Sequence, residues 1–341
     1  MRWCAGGFFV LVGCGVELGD ARFEVDECRT VALVDAETGA LVVGAEDLAF
    51  PPTFTDTFYV SAYDRLKDEP GGIYRLPFPL TEHSEISATN LMPDARPHGI
   101  FVGFSSDLGA IVRVDGEPHY TQGTFNASVE LTDDYVMHRH YGSVDWSEPF
   151  PLGCGANDVE ADAYGFVGGP FSVAVTFDAQ QCQPSLFSRA FSKGTGSVAR
   201  FNIDDGSRTV VKSGLALSNG IAEYGLDTWV AEMRGRRVTA LGRERSIDLP
   251  GAPDNLNASE EGIVAALQPS LWRFGLYRYG YAERAPTRIV LVDPETEEIE
   301  LLFEDPNGRL LSGATAAVLR DDMLIASSVR GEALLVCENN G

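Results

Sequence analysis

Seven side chains with oxygen donors fall at four points of the chain, each where a short polar stretch leads into an apolar one. They are Glu46, Asp47, Asn157, Asp158, Asn219, Asp254 and Asn255. Carboxylate and amide oxygens are the ligands that calcium takes, six to eight at a time at about 2.3–2.6 Å. The set holds no cysteine and only one histidine stands in a comparable position, His98, which favours calcium over zinc or copper. Each stretch alone is equally typical of a solvated turn, so the hypothesis of a cation site depends on their shared position.

That position is part of a weak internal repeat, in which a polar lead is followed by short apolar or alternating runs and turn residues. The leads are 45–48, 97–100, 156–159, 218–221, 253–256 and 312–315. Counted from Glu46, His98, Asn157, Asn219, Asn255 and Gly313, they are 52, 59, 62, 36 and 58 residues apart. This spacing suits a four-stranded blade with a variable loop, and long helical patterns are nearly absent. The sequence therefore predicts an all-β, six-bladed β-propeller, whose first strands line a central channel and bring the leads together.

The charge balance excludes one class of function. The 341 residues carry 50 acidic and 26 basic side chains, a formal net charge of −24. A nucleic-acid binder needs a basic face to neutralise phosphates, and the chain has no such excess. An acidic balance suits an extracellular protein that binds cations, although charge alone identifies no function.

The first residues are typical of an export signal. A basic start at Arg2 precedes the apolar run 8–12, which is too short to span a membrane, and small residues flank Cys14. The sequence at 11–14 also resembles the lipobox of bacterial lipoproteins, in which the cysteine is acylated. We therefore expect an export signal over 1–14, a linker over 15–27 and the propeller over 28–341. The protein is expected in the periplasm or outside the cell, with a lipid anchor to a membrane if Cys14 is acylated; the alternative is an N-terminal extension without a targeting role.

Export bears on the cysteines. Without Cys4 in the leader and Cys14 as an anchor, four remain for an oxidising compartment, and they allow three pairings. The favoured pairings are Cys28–Cys337, which lie near the two ends of the folded region, and Cys154–Cys182, which are neighbours in its middle. A Cys28–Cys337 bond would hold an early strand against a late one, closing the ring and stabilising the fold by roughly 4–5 kcal/mol on the chain-entropy argument.

The leads resemble the paraoxonase/arylesterase family of calcium-dependent lactonases, in the same order across nearly the whole chain. The matching segments are 44–47, 97–100, 157–158, 219–221, 254–255 and the tail from 311–315 to 335–337. The resemblance implies a disulfide between the terminal cysteines and two calcium ions on the axis. The ion at which catalysis occurs would be held by Glu46, Asn157, Asn219, Asp254 and Asn255. The deeper, structural ion would be held by Asp47, Asp158 and the backbone carbonyl of Ile100.

A hydrolytic function for lactones or aryl esters follows from that resemblance. An open position on the metal would polarise the substrate carbonyl, and His98 would take a proton from the attacking water. The alternative for His98 is a hydrogen bond to the backbone that caps the channel. His119 falls near the position of the family's second histidine and is expected either to partner His98 or to lie in a loop.

The substrate pocket departs from the family at two points. Gln268 stands beyond the fifth lead where the family has a histidine, and no acidic residue follows the third lead near 168–170. Phosphotriesterase activity is therefore in doubt. Pocket residues are expected to be Tyr63, Phe171, Leu217, Gln268 and Trp272. The segment 184–191 fits a short amphipathic lid helix or, equally, a surface loop.

Two other functions remain open. A gluconolactonase-like or strictosidine-synthase-like propeller enzyme shares such leads but usually binds one metal, whereas the paired acids at 46–47 and 157–158 favour two. A non-catalytic propeller with structural calcium and a partner-binding rim is the third hypothesis, because many functions share this fold. The expected ligand is a small lactone or ester, and the oligomeric state is not indicated.

Overall fold

The computed structural model describes residues 18–51, 56–80, 83–102, 108–115, 117–131, 137–161, 172–178 and 194–338. For 125–131 and 137–143 it describes the backbone alone. The predicted leader and its Cys14 lie outside these ranges, as do Phe171, Cys182 and the segment 184–191.

Short strands joined by tight turns make up most of the described chain. The first half holds β1 Cys28–Asp35, β2 Ala45–Ala49, β3 Thr57–Asp64, β4 Glu69–Pro77, β5 Glu85–Asn90, β6 Pro97–Val102, β7 Leu108–Val114, β8 Glu117–Leu131, β9 Met137–Trp146, β10 Phe150–Pro151, β11 Ala156–Ala161 and β12 Ser172–Phe177. The second half holds β13 Gly196–Asn202, β14 Arg208–Leu215, β15 Ser218–Tyr224, β16 Asp227–Glu232, β17 Arg237–Ala240, β18 Ser246–Asp248, β19 Ala252–Ala258, β20 Ile263–Gln268, β21 Thr287–Val292, β22 Ile299–Asp305, β23 Ala314–Arg320, β24 Met323–Ser328 and β25 Ala333–Glu338.

These strands form six antiparallel blades. The first contains β2–β5, the second β6–β10, and the third, fourth and fifth contain β11–β14, β15–β18 and β19–β22. The sixth is built from β23, β24 and β25 with β1 as its outermost strand, and a parallel pairing of β1 with β5 joins it to the first blade. The innermost strand of every blade contacts that of the next, from β2 through β6, β11, β15, β19 and β23 and back to β2. The chain is therefore a β-propeller with its six innermost strands around a central channel.

The ring is closed by pairing of an early strand with a late one, as the sequence predicted. β1 pairs antiparallel with β25 in a register that sets Cys28 opposite Cys337, and the two cysteines form a disulfide across 309 positions of sequence. Because the chain's first strand completes its last blade, the open edge that a linear chain would leave is covered. Cys154 is also disulfide-bonded, and its predicted partner, Cys182, lies outside the described residues.

The cores lie between neighbouring blades. Trp229 of the fourth blade packs in one apolar cluster with Leu256 of the fifth, and Tyr120 of the second packs in another with Phe177 of the third. These positions are buried because strand side chains alternate between the two faces, and each blade is covered by a neighbour on both. Fully burying a side chain of this size contributes about 1.5–3 kcal/mol.

One α-helix of the described chain, α1 Leu271–Arg278, lies in the connection between β20 and β21. Ser270 caps its N-terminus by accepting a hydrogen bond from the Arg273 amide at 3.4 Å. Over the described residues, no helix combines the length and apolar character needed to cross a membrane.

Candidate metal centre and catalytic site

A β-bulge stands at the start of every blade. The pairing of the first strand with the second shifts register between Ala45 and Asp47, Pro97 and Ile100, Ala156 and Val159, Ser218 and Ile221, Pro253 and Leu256, and Ala314 and Ala316. A bulge frees residues from the strict in-and-out alternation of a strand and re-aims their side chains. The six bulges lie at equivalent positions around the channel, and each contributes two successive residues of its blade start.

The upper ring, as we name it, takes the first bulge residue of each blade, and the lower ring takes the second. The upper ring is Glu46, His98, Asn157, Asn219, Asp254 and Thr315; the lower ring is Asp47, Gly99, Asp158, Gly220, Asn255 and Ala316. The structural register refines the sequence repeat at two points. In the fifth blade the counterpart of Glu46 is Asp254 rather than Asn255, and in the sixth it is Thr315 rather than Gly313.

Upper-ring side chains contact one another across three blades. The Asn157 amide donates to Oδ1 of Asn219 at 2.5 Å, and the Asn219 amide in turn contacts Oδ1 of Asp254. Gln268, at the end of β20, donates to Oδ2 of Asp254 at 3.4 Å and to the carbonyl of Ala314 at 2.5 Å. All four side chains are buried. A rotated amide presents its oxygen where its nitrogen stood, so both asparagines can offer oxygen to the channel.

Two lower-ring carboxylates join neighbouring blades. Asp47 accepts hydrogen bonds from the amides of Leu48 at 2.8 Å and Ile100 at 2.9 Å. Asp158 accepts the equivalent pair, from Val159 at 2.8 Å and Ile221 at 2.9 Å. The two carboxyls are also hydrogen-bonded to each other. The hydrogen bond of Asp47 to Ile100 therefore links the first blade to the second, and that of Asp158 to Ile221 links the third to the fourth.

Asn255 lies in this lower ring as well, and its amide donates to the backbone carbonyl of Glu46 at 3.2 Å. Asn255, which the sequence grouped with the upper residues, follows Asp254 in the bulge of the fifth blade. The backbone of Ile100 reaches this ring through its amide, which bonds Asp47.

Glycines in the lower ring make room for these side chains. A Cβ added to Gly99 would stand 2.3 Å from Oδ1 of Asp158, and one added to Gly220 would stand 2.5 Å from the Cα of Asn255. Both distances are below any van der Waals contact. Gly99 and Gly220 in the second and fourth blades thus let the acidic or amide residues of the third and fifth approach.

Burial dominates the electrostatics of the acidic groups. Desolvation raises the pKa of Asp47 to about 7 and that of Asp254 to about 6. It also raises the pKa of Asp158 well above its usual range, and repulsion from Asp47 adds to that rise. With Glu46, four carboxyls are almost completely inaccessible to water around one channel. Buried charges of one sign need a counter-charge or protons.

The donor chemistry fits a hard divalent cation. Within the described ranges, Gln268 Oε1 and Thr315 Oγ1 are buried without a hydrogen-bond partner, and both are oxygen atoms able to ligate. No three His, Cys, Asp or Glu side chains of the described chain converge to hold a metal by themselves. A cation here would therefore need the asparagine and glutamine oxygens as well, which is the mixture that calcium accepts.

His98 lies beside the upper-ring carboxylate of the first blade. Its Nδ1 is 3.4 Å from Oε2 of Glu46, and its backbone carbonyl accepts a hydrogen bond from the hydroxyl of Ser61 at 2.6 Å. Desolvation, and then the positive charges of Arg65, Arg278 and Arg113, hold the pKa of His98 well below its usual range. The imidazole is therefore neutral at neutral pH and able to accept a proton.

Arg65 is a channel residue that the sequence did not indicate. It follows β3 in a turn, its side chain is 9% exposed, and its Nη2 lies against Oε2 of Glu46. Its guanidinium carbon is 4.1 Å from the centre of the Tyr63 ring, a cation–π contact. A turn residue next to a polar run gives no pattern by which its burial could have been predicted.

Three of the predicted pocket residues lie near residues of the upper ring, and Trp272 does not. Tyr63 is buried against Arg65, and Gln268 contacts Asp254. Leu217 immediately precedes β15 and is two residues before Asn219. Trp272 lies on α1 and is 76% exposed. His119 is not brought to the channel: it lies on β8, two strands outward from His98, with Nδ1 3.1 Å from the carbonyl of Glu117.

Helix α1 covers part of the channel entrance and was not indicated by the sequence. The hydroxyl of Tyr277 is 3.0 Å from Oγ of Ser328 in the sixth blade, and the Arg330 side chain donates to the carbonyl of Ala282 at 3.1 Å. Leu66 of the first blade lies close to Gly280, just past the helix. The helix therefore extends from the fifth blade over the sixth towards the first.

One solved structure of a known protein supports the fold. A gluconolactonase from Xanthomonas campestris superposes with a TM-score of 0.51 at 13% sequence identity, covering 95% of this chain and 99% of that one. YCF48 bound to a D1 peptide aligns with a TM-score of 0.48 at 8% identity, covering 94% and 99%. No protein-family model matches the sequence, and no curated protein matches it.

Proposed function

We propose that the protein is a calcium-dependent hydrolase of lactones or aryl esters that acts at the upper ring. The observation that carries this proposal is the position of a neutral, partly buried histidine against a carboxylate, in a ring that otherwise consists of oxygen donors. A general base and a cation site within one channel are the two parts that metal-assisted ester hydrolysis needs.

The residues for two ions follow the two rings. Glu46, Asn157, Asn219 and Asp254 would hold the upper calcium, and Asp47 and Asp158 the lower one, with Asn255 and the carbonyl of Ile100 as further donors. When bound, the upper ion would supply Lewis acidity to the substrate carbonyl and stabilise the oxyanion formed from it. Among the described residues, the buried Asp47 and Asp158 form no ion pair, and repulsion from Asp47 raises the pKa of Asp158, which favours a second ion there over a single-metal site.

His98 acts as the base in this proposal. A carboxylate only accepts hydrogen bonds, so the ring nitrogen that faces Glu46, Nδ1, carries the proton and Nε2 is free to accept one. Nε2 takes a proton from water as the water oxygen bonds to the carbonyl carbon. The ester C–O bond then breaks, and the departing alkoxide receives that proton from the imidazolium, whose charge Glu46 and the channel carboxylates stabilise. The products are a hydroxy acid from a lactone, or an acid and a phenol from an aryl ester.

At 13% identity, the likeness to a gluconolactonase supports the shared fold alone. Lactones as substrates are compatible with that likeness but are part of the proposal. A gluconolactonase-like single-metal enzyme and a non-catalytic, partner-binding propeller are the alternatives. They differ from the proposal in a measurable way, because the first holds one calcium ion per chain and the second has no turnover.

Export is part of the proposal. The Cys28–Cys337 disulfide supports a final location in an oxidising compartment, periplasmic or extracellular. Acylation of Cys14 is proposed from the sequence alone, and intact-mass analysis of the protein recovered from its native membrane would detect the lipid.

The test is an assay panel of γ- and δ-lactones, phenyl acetate and an acyl-homoserine lactone, with bound calcium measured by elemental analysis. Hydrolysis that ceases in a chelator and returns with calcium, at two ions per chain, is the expected result. Hydrolysis that continues after complete removal of metal would overturn the metal mechanism. Full calcium loading without hydrolysis of any substrate would favour the partner-binding alternative.

A further inference from the structure

Three arginines stand at the same end of the channel as the upper ring. The start of β2 pairs with the end of β3, that of β6 with the end of β7, and that of β19 with the end of β20. Arg65 follows β3, Arg113 is the next-to-last residue of β7, and Arg278 ends the helix that follows β20. The register therefore brings all three to the entrance through which a substrate would reach Glu46 and His98.

Among the described residues, only Arg65 of these three has a carboxylate at ion-pair distance. Arg65 has its Nη2 against Glu46, while its Nη1 is buried with no hydrogen-bond partner among the described residues. Within the described part of the chain, no acidic side chain lies at ion-pair distance from Arg113, which is exposed, or from Arg278, which is half-buried. The stacking of Arg65 on Tyr63 fixes the guanidinium in place without supplying a negative charge.

All three side chains at this end of the channel carry a positive charge. A cluster of positive charge contrasts with the net charge of −24 of the whole chain. Clefts lined by one sign of charge attract ligands of the opposite sign.

The charge balance of a calcium-loaded site also leaves an excess of positive charge at the entrance. This step rests on the proposed function. Two divalent cations would neutralise the four buried carboxylates Glu46, Asp47, Asp158 and Asp254. Three guanidinium charges would then remain at the entrance, and Arg65 would share Glu46 with a calcium ion. An anion on the substrate would restore the balance.

We propose that the substrate carries a carboxylate group, which Arg65 binds together with Arg113 and Arg278 while its ester carbonyl faces His98. Guanidinium groups pair with carboxylates through parallel N–H···O bonds, and such charge-assisted bonds are about twice as strong as neutral ones. The substrate class is a lactone or ester with a free acid group. Water adds to the carbonyl carbon and the ring C–O bond opens, so the product of a carboxylated lactone is a hydroxy-diacid with no change of oxidation state.

The test compares γ-butyrolactone-γ-carboxylate with its carboxamide, which has the same shape without the charge. The calcium-loaded protein should show at least a tenfold higher kcat/KM for the carboxylate, and the preference should shrink as ionic strength rises. Arg113→Gln and Arg278→Gln should each reduce the ratio of the two kcat/KM values several-fold. Arg273→Gln, an equal loss of charge at an exposed position of the same helix, should leave the ratio unchanged.

A binding measurement separates this proposal from the proposed function. Calorimetric titration with 2-hydroxyglutarate, the product of that lactone, should show binding that weakens several-fold in Arg113→Gln and in Arg278→Gln but not in Arg273→Gln. Equal turnover of the carboxylate and the carboxamide would overturn the substrate class and leave the hydrolase intact. Absence of turnover on every lactone would overturn the hydrolase, and the titration would still decide whether the arginines bind a carboxylate.

Discussion

Nδ1 of His98 and Oε2 of Glu46 lie 3.4 Å apart, on the innermost strands of two neighbouring blades. Desolvation and the nearby arginines hold the pKa of His98 well below its usual range, which keeps the ring neutral. The proposed hydrolysis depends on this pair, in which Glu46 would orient the imidazole as a base.

Replacing His98 by glutamine should remove the base and leave the fold intact. We expect kcat for the best lactone to fall about 10²- to 10⁴-fold, with an unchanged melting temperature and unchanged calcium content. His119→Gln is the matched control, because His119 lies on the third strand of the same blade and should retain wild-type turnover. Full activity of His98→Gln with both ions bound would remove His98 from the mechanism.

The two rings should respond differently to loss of a carboxylate. In calcium, Asp254→Ala should abolish turnover with little loss of stability, because its contacts are to other side chains of the site. Asp47→Ala removes two hydrogen bonds from backbone amides to a charged group, one of them to the next blade. Bonds of this kind contribute about 1.5–3 kcal/mol each, so its free energy of unfolding should fall by at least that much. Equal effects of both variants on stability and turnover would contradict separate roles for the rings.

Metal-free protein should lose stability as pH rises. Folding raises the pKa of Asp47 from 3.8 to about 7, chiefly by desolvation, and raises that of Asp158 as well. The folded state therefore binds more protons than the unfolded state between about pH 4 and 7, and stability falls with pH across that window. Calcium should abolish this dependence. Melting temperatures in chelator and in calcium from pH 4.5 to 8 are the measurement, and a metal-free melting temperature that rises with pH would contradict the assignment.

Alanine at Gly99 should damage the lower ring. Its Cβ would stand 2.3 Å from the Asp158 carboxylate, so Asp158 or the strand must move. Overpacking of this kind costs about 1–3 kcal/mol, and the lower calcium should bind more weakly. Gly206→Ala provides a contrast, because its added Cβ would meet no atom within 4 Å and only its positive φ of 68° opposes the change. Unaltered calcium affinity in Gly99→Ala would show that the close approach has no role in binding.

Removing the closure disulfide should loosen the sixth blade. Cys28→Ser/Cys337→Ser frees β1 from a bond that spans 309 positions, and loss of a native disulfide typically costs about 2–5 kcal/mol. Unfolding in denaturant should show this loss, and hydrogen exchange should become faster first in β1 and β25. A double variant as stable as the wild type would mean that strand pairing alone closes the ring.

Three features could be predicted from the sequence: the number of blades, the polar residues at the blade starts and the Cys28–Cys337 closure. These features are local or depend on order along the chain: a polar lead before an apolar strand, a spacing that fits four strands, and two cysteines at the ends of the folded region. Glu46, Asp47, His98, Asn157, Asp158, Asn219 and Asp254 could be found in this way because each lies in such a lead.

The make-up of the two rings and the arginines near them became visible only in the folded chain. Whether Asn255 or Asp254 stands beside Asn219 depends on one residue of strand register, which the bulges set and no periodicity in the sequence reports. Arg65, Arg113, Arg278 and helix α1 meet at the entrance because four separate strand pairings turn their loops to the same end of the ring. Contacts between loops so distant in sequence arise only when the ring closes, since nothing in the composition of one loop encodes its neighbour across the channel.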